Sequence, residues 1–135
     1  YDPMGYLHDA LYPVEHSRQA SAVLVAGSDA PVDSRDPRPF ENMAAGIMKA
    51  AGSGDDFRAS QRTSLTEMLA AYTINGARAV RQGDITGSIE AGKSADFIVL
   101  DRDLFALVKA GTPEQIAQTR VEQTVFMGET VYPKP

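Results

Sequence analysis

Cysteine is absent from the 135-residue chain, which excludes disulfide bonds and thiolate metal ligands and leaves His, Asp and Glu as the strong candidate ligands. Large apolar residues are also scarce. Leu, Ile, Val and Phe together number 29, whereas Ala alone contributes 19. Because alanine buries little area per side chain, the sequence predicts a thin core of large residues.

Clusters of basic residues and long apolar runs are missing as well. The net charge is -5 at pH 7, and the Lys and Arg residues are dispersed, which disfavours nucleic acid and anionic membranes as partners. The apolar runs are far shorter than a membrane span, and the amino terminus has no basic-then-apolar signal pattern. We therefore expect a cytoplasmic protein with no nucleic-acid or membrane partner.

An aspartate follows the most strand-like stretch of the chain. Residues 22–26 are an uninterrupted run of small and branched apolar residues, typical of a strand covered on both faces. Gly27 and Ser28 end the run, and Pro31 prevents it from resuming. Asp29 is therefore predicted at the carboxyl end of a buried strand, where barrel enzymes carry their catalytic groups. The alternative is that Asp29 merely caps the turn that follows.

Two stretches further along have helical signals. Ser64 and Glu67 form a capping-box pattern, so a helix is expected to begin immediately after Ser64. Apolar residues recur at helical spacing up to Val80, and Gly83 stands where a left-handed terminator is expected. A shorter helix is expected over residues 41–51, with an inward face made of Phe40, Met43, Ala44, Ile47 and Met48.

After residue 85 the pattern changes from helices to strands. The expected strands are 88–90, 95–101, 120–126 and 129–132. The first two flank a turn at Gly92, and the last two flank the pair Met127-Gly128, a short hairpin connection. Between them, Thr112-Pro113 offers a cap and a first-turn proline for a short helix. These strands look like part of a β-sandwich.

A phosphate-binding loop pattern is also present in this region. Gly87, Gly92, Lys93 and Ser94 satisfy it letter by letter. Such a loop works between a strand and a helix whose free amides face the phosphate. Here residues 81–84 are not an apolar strand, and β-branched residues after Ser94 predict a strand instead of a helix. We interpret the pattern as a structural turn, and a phosphate-loop nucleotide hydrolase is a distant alternative.

The two histidines give no metal-binding pattern. His8 and His16 are eight positions apart, and Pro13 lies between them. A helical ligand pair would need a spacing of four. We therefore expect both side chains at the surface or in packing.

The order of these segments resembles the carboxyl-terminal end of the amidohydrolase superfamily, in the branch called amidohydrolase family 3. The resemblance covers most of the chain from Tyr12 to Tyr132 and rests on segments 22–32, 65–79, 87–101 and 124–132. It implies an α/β fold: the last strand and helices of a (β/α)8 hydrolase barrel, over residues 1–84, and part of a β-sandwich, over residues 85–135. Lys93, Asp96 and Asp101 are structural in this interpretation.

The resemblance also implies a function. The full-length parent would be a metal-dependent hydrolase that cleaves a non-peptide carbon–nitrogen bond of a small-molecule substrate with metal-activated water. Its cofactor would be a divalent metal, with zinc as the expected ion. Asp29 would be both a metal ligand and a catalytic residue, binding the metal and shuttling the proton of the attacking water.

The chain is expected to be a fragment of that parent. It begins at Tyr1 instead of Met, and the family's His-x-His pair, its bridging Lys or Glu and its two further His have no counterpart in it. Since one ligand cannot hold zinc, the isolated segment is expected to bind no metal and to be inactive. A non-catalytic folding or association fragment is the alternative. Strands without neighbours also predict a homo-oligomer.

Overall fold

A computed structural model describes residues 14–32, 36–48 and 62–133 of the chain. Its elements are, in chain order, α1 (Val14–Gln19), α2 (Pro39–Met48), α3 (Leu65–Tyr72), α4 (Ile74–Ala79), β1 (Phe97–Leu100), α5 (Leu104–Lys109), a 3-10 helix (Pro113–Gln118), β2 (Val121–Phe126) and β3 (Glu129–Tyr132). This mixture of helices and strands agrees with the expected fold class. None of these helices is long and apolar enough to cross a membrane.

The capping box at the start of α3 is present as the sequence predicts. The hydroxyl oxygen of Ser64 accepts a hydrogen bond from the Glu67 N–H at 3.2 Å, and the Glu67 carboxylate accepts one from the Ser64 N–H at 2.8 Å. The Ser64 amide is the main reason why the pKa of the Glu67 carboxyl is lowered, and Arg18, 3.1 Å away, contributes in the same direction.

The predicted long helix is interrupted at Thr73. The backbone angles of this residue, φ -127° and ψ -101°, lie outside the helical region, so that α3 ends before it and α4 begins after it. The Thr73 hydroxyl donates to the Leu69 carbonyl at 2.6 Å. A threonine hydroxyl that bonds the carbonyl four residues earlier often bends a helix, and here it accompanies a break.

The left-handed residue that ends α4 is Arg81 and not the predicted Gly83. Arg81 has φ +61°. Its N–H donates to the Arg78 carbonyl at 3.0 Å, and the Gln82 N–H donates to the Ala77 carbonyl at 2.8 Å, which is the bond pair of a Schellman motif. Gly83 is needed for space instead, since a Cβ there would lie 2.7 Å from Arg78 Cγ.

The core joins the helices of the first part of the chain to the second part. α2 begins slightly before the predicted range 41–51, and the predicted residues beyond Met48 lie outside the described part of the chain. The buried core cluster consists of Met43, Ala44, Leu65, Met68, Leu104 and Ile116. Phe40 and Ile47 pack against this cluster, so both lie on the inward face that the sequence predicts for α2. Residues on both sides of the expected boundary at 84 and 85 share this core, and the division into two domains stays a prediction.

Helix α5 has no counterpart among the predicted elements. Its signal is Asp103, whose carboxylate accepts hydrogen bonds from the N–H groups of Phe105 and Ala106 at 2.9 and 3.1 Å.

The helix predicted after Thr112 is a 3-10 helix, and the expected cap is wrong. The Thr112 hydroxyl donates to the Leu107 carbonyl at 3.3 Å instead of serving the following helix.

The three strands form one antiparallel sheet in the order β1-β2-β3. The predicted hairpin is confirmed: β2 and β3 are joined by Met127 and Gly128, with φ +51° and +84°, the left-handed pair that a two-residue hairpin favours. β1 occupies the middle of the predicted strand 95–101, and its Phe97 lies opposite Val125. Within the described residues this sheet stands alone, so the β-sandwich stays a prediction.

Residues 88–90 do not form the predicted strand. The Lys93 N–H donates to the Glu90 carbonyl at 3.2 Å, and the Ser94 N–H donates to the Ile85 carbonyl at 2.7 Å. Gly92 has φ +90°, which favours glycine. These backbone groups are therefore used inside the loop and not in a ladder between strands.

The predicted strand Val23–Ala26 is also not part of a sheet in the described residues. Exposure alternates along it, with Val23 and Val25 exposed and Leu24 and Ala26 half-buried, the two-residue period of an extended chain. A barrel strand pairs with a strand on each of its edges. In the described residues, this segment is hydrogen-bonded to two helices instead.

Two aspartates hold the sheet to its surroundings. Asp96 accepts hydrogen bonds from the Met127 N–H and from the Thr86 hydroxyl, both at 2.8 Å, so it ties the hairpin turn to the loop before β1. Asp101 accepts two hydrogen bonds from Arg102, at 2.7 and 2.9 Å, and one from the Arg120 N–H at 3.0 Å. The Arg102 guanidinium first, and the Arg120 amide next, hold the pKa of Asp101 well below its usual range. The structural role that the family resemblance implies for both aspartates agrees with these bonds.

We expect Asp96→Asn to lower the melting temperature by several degrees at neutral pH, because the two bonds fall on different carboxylate oxygens and an amide has only one oxygen. The Met127 amide, followed by the Thr86 hydroxyl, lowers the pKa of Asp96. A lowered folded-state pKa gives stability that is present above the unfolded-state pKa and is lost as pH falls through the folded-state value. The difference in melting temperature should therefore shrink below about pH 4. Thermal melts by circular dichroism from pH 7 to 3 measure it.

Asp84→Asn, at an exposed turn position, is the matched control and should melt like the parent chain at every pH. A difference between Asp96→Asn and the parent chain that stays constant down to pH 3 would contradict the role of the Asp96 carboxylate.

Candidate functional site

The segment that leads to Asp29 is held against the junction of α3 and α4. The Ala26 N–H donates to the Ala71 carbonyl at 3.2 Å, and the Asn75 side-chain amide donates to the Leu24 carbonyl at 2.9 Å. Ala71 lies in the last turn of α3, where helix carbonyls lack partners within the helix. The break in the helix thus provides both partners for the segment.

Asp29 stands at the end of this segment in a left-handed conformation. Its φ is +52°, which is uncommon for a residue other than glycine, although Asp and Asn tolerate it better than most. Its carbonyl accepts a hydrogen bond from the Val32 N–H at 2.9 Å, which closes a turn over residues 29–32.

The side chain that serves this turn belongs to Ser28. Its hydroxyl oxygen accepts a hydrogen bond from the Ala30 N–H at 3.3 Å. The Asp29 side chain is exposed, and within the described ranges it takes part in no hydrogen bond or ion pair. The turn-capping alternative for Asp29 therefore has no support from these contacts, and no described residue occupies the carboxylate.

A complete metal site is not assembled in this part of the chain. No group of three or more His, Asp or Glu side chains close enough to hold a metal ion occurs among residues 14–32, 36–48 and 62–133. Asp29 fits one position of such a site, because an unpartnered carboxylate is a good ligand for zinc or a harder divalent cation. His8 lies outside the described residues, and His16 falls within α1.

A cavity of about 220 Å³ lies between α1, the start of the Asp29 segment and α3. The ion pair of Arg18 and Glu67, 3.1 Å long, forms part of its wall. Asn75 and Leu24 line it too, so the bond between them is at the cavity surface. Asp29 is not among the lining residues, and the cavity is separate from the candidate metal ligand.

The loop that matches the phosphate-binding pattern has its lysine engaged elsewhere. Lys93 Nζ donates to the Ser88 hydroxyl oxygen at 2.7 Å and to a Glu90 carboxylate oxygen at 3.1 Å, and its side chain is 14% exposed. Strand β1 follows this loop, and no helix begins at Lys93 or Ser94. The structure has a turn at this pattern, as interpreted, but the hairpin expected there is wrong, because no strand precedes the turn.

Asn75 is the residue that sequence reasoning missed. It stands near the start of α4, next to Gly76, and both residues have low helix propensity. Two poor helix formers inside a predicted helix are the signal that could have indicated a break and a tertiary role for the asparagine.

Comparisons with known proteins give one consistent result. The profile of the amidohydrolase family matches residues 5–132. N-substituted formamide deformylase of Arthrobacter pascens is 35% identical over 96 residues, which are 71% of this chain and 17% of that protein. Imidazolonepropionase of Bacteroides fragilis is 37% identical over 70 residues, which are 52% of this chain and 16% of that protein.

A solved structure gives the same answer for the fold. The crystal structure of an amidohydrolase from Thermotoga maritima MSB8 superimposes with a TM-score of 0.62 at 20% identity, over 91% of this chain and 26% of that one. The matched region thus spans about a sixth of the length of these two curated relatives and about a quarter of the solved chain.

For Lys93, we expect no nucleotide binding and therefore no loss of binding in Lys93→Ala, because the ammonium group is already paired with Glu90 and Ser88. Calorimetry with ATP and Mg²⁺ should record no heat beyond dilution for either protein. Micromolar binding that disappears in Lys93→Ala would contradict the structural interpretation of the loop.

Proposed function

This chain belongs to the amidohydrolase family, and we propose that it is the carboxyl-terminal portion of a metal-dependent hydrolase that cleaves a non-peptide carbon–nitrogen bond of a small molecule. The relative named as a deformylase of N-substituted formamides supports the bond type, since the formyl carbon of a formamide is bonded to nitrogen. The observation that carries the proposal within this chain is the exposed carboxylate of Asp29, which has no partner in the described residues and stands at the end of the segment that α3 and α4 hold.

Asp29 has the chemistry that such a hydrolase needs at one position. A divalent cation, with zinc as the expected ion, would supply the Lewis acidity that makes water a stronger acid. Asp29 would hold the cation through its carboxylate and would accept the proton of the water whose oxygen bonds to the substrate carbon. As the carbon–nitrogen bond breaks, the same carboxyl group would donate that proton to the leaving nitrogen, and Asp29 would return to its carboxylate form.

The remaining ligands would come from residues other than those described. Zinc sites in enzymes use three protein ligands as a rule, and this part of the chain supplies one candidate. We therefore expect the 135-residue segment alone to be inactive and to bind no metal. The full-length protein would combine Asp29 with histidines from other barrel strands.

The sheet supports a second proposal, that the isolated segment acts as an association fragment. Ile98 pairs with Thr124, and Thr124 pairs with Tyr132, so these three side chains form a row across one face of the sheet. Ile98 and Tyr132 are 48% and 54% exposed, and the neighbouring Phe126 is 57% exposed. Apolar faces and unpaired strand edges of this kind favour association. A His-x-His pair in the upstream coding sequence would decide in favour of the enzyme.

In the full-length protein we expect Asp29→Asn to abolish turnover, because an amide cannot accept the proton of the attacking water. The fold should be unchanged, since the Asp29 side chain has no partner among the described residues. Steady-state hydrolysis assays with formamide-type substrates and a melting curve measure the two effects. Asp84→Asn is the control and should keep full activity. Near-parental activity of Asp29→Asn would remove Asp29 from the catalytic role.

For the isolated segment we expect a dimer or a higher oligomer at micromolar concentration, because the exposed sheet face and edges of β1 and β3 find partners on another copy. Multi-angle light scattering gives the mass directly. A stable monomer of 14.5 kDa with a cooperative melt would contradict the association proposal.

A further inference from the structure

We propose that Asn75 is the positioning residue for Asp29, acting through the hydrogen bond of its side-chain amide to the Leu24 carbonyl. The inference rests on the proposed function of Asp29 and adds a second residue to that site. Asn75 is half-buried, and its Nδ2 lies 2.9 Å from a carbonyl oxygen 51 residues earlier in the chain. It does not contact the reacting atoms and acts through the backbone alone.

The hydrogen bond from Asn75 is one of two that hold the segment before Asp29 in place. In an extended chain the carbonyl of one residue and the N–H two residues later point to the same side. The Leu24 carbonyl and the Ala26 N–H satisfy this relation, and they bind Asn75 and Ala71 respectively, at 2.9 and 3.2 Å. A slip of one residue would turn both groups away from the helices, so the two bonds together set the register.

The register determines where Asp29 stands. Leu24 is five residues before Asp29, a distance of about 16 Å in an extended chain. Ala26 is held only three residues before Asp29. A shift of the hydrogen-bonded residues Leu24 and Ala26 therefore also moves the Asp29 carboxylate. Displacement of a catalytic group by about 1 Å is enough to cost about a hundredfold in rate.

Helix stability does not account for an asparagine at this position. Asn is a poor helix former, and the cap of α4 has no side-chain hydrogen bond. The part-buried Leu24 carbonyl gains a protein donor from this amide, and leaving an acceptor without a partner becomes more costly the more it is buried. A small side chain with an amide supplies this donor. The need to hold the Asp29 segment, and not the stability of α4, therefore explains why an asparagine stands at position 75.

The test uses the full-length protein with Asn75→Ala and Asn75→Asp. The first variant removes the side chain; the second keeps its shape and replaces the N–H donor by an acceptor. Gln123→Ala is the matched control, since it removes a side-chain amide bond of similar length, 2.8 Å to Thr130, from the sheet. Hydrogen exchange of the Ala26 amide, bound metal and the two parameters kcat and KM are measured for each.

Both Asn75 variants should exchange the Ala26 amide about tenfold faster, equivalent to about 1.4 kcal/mol, and lower kcat about a hundredfold with KM unchanged. They should also retain less metal on dialysis. Gln123→Ala should match the parent protein in Ala26 exchange, bound metal, kcat and KM, even if its melting temperature falls as much as that of the Asn75 variants.

An unchanged Ala26 exchange rate, or a kcat equal to that of Gln123→Ala, would overturn the role of Asn75. Asp29→Asn measured alongside separates the two proposals. If Asp29→Asn is inactive and the Asn75 variants are fully active, the positioning role alone fails. If Asp29→Asn remains active, the proposed function of Asp29 fails, and the role of Asn75 fails with it.

Discussion

The interruption of the helix at Thr73 is the constraint on which the arrangement around Asp29 depends. A continuous helix from Leu65 to Ala79 would use the Ala71 carbonyl within itself. Because the helix breaks, that carbonyl accepts the Ala26 N–H, and Asn75 reaches the Leu24 carbonyl. The chain thus loses helical hydrogen bonds at the break, and groups beside the break hold a distant segment instead. That segment ends at the exposed carboxylate of Asp29.

The second half of the chain is organised by carboxylates of a different kind. Asp96 and Asp101 are satisfied by backbone amides, a hydroxyl and a guanidinium, and their pKa values are lowered accordingly. Such groups resist protonation and make good structural clamps, whereas they have little capacity left for a metal or a proton. Asp29 has no partner within the described ranges, and its carboxylate differs in this respect from the two structural aspartates.

How far the sequence predicts the structure depends on the range of the interaction. The Ser64 capping box and the Met127-Gly128 hairpin follow from residues a few positions apart, and both are found as predicted. The expected strand at Val23–Ala26 depends on neighbouring strands, which residues 14–32, 36–48 and 62–133 do not provide, so its place in a barrel stays a prediction. The position of Asp29 at the end of that segment could be predicted, because Gly27, Ser28 and Pro31 terminate it locally. Its attachment through Asn75 could not, because the poor helix formers Asn75 and Gly76 indicate at most a break in the helix, and nothing in the local pattern identifies a partner 51 positions earlier.

The central proposal is that Asp29 is a metal ligand of the full-length hydrolase. A crystal structure of the full-length protein grown with Zn²⁺ tests it most directly. We expect a carboxylate oxygen of Asp29 at about 2.0–2.2 Å from the ion, with histidines completing the site. A zinc ion bound in the barrel with Asp29 outside its coordination sphere would contradict the account.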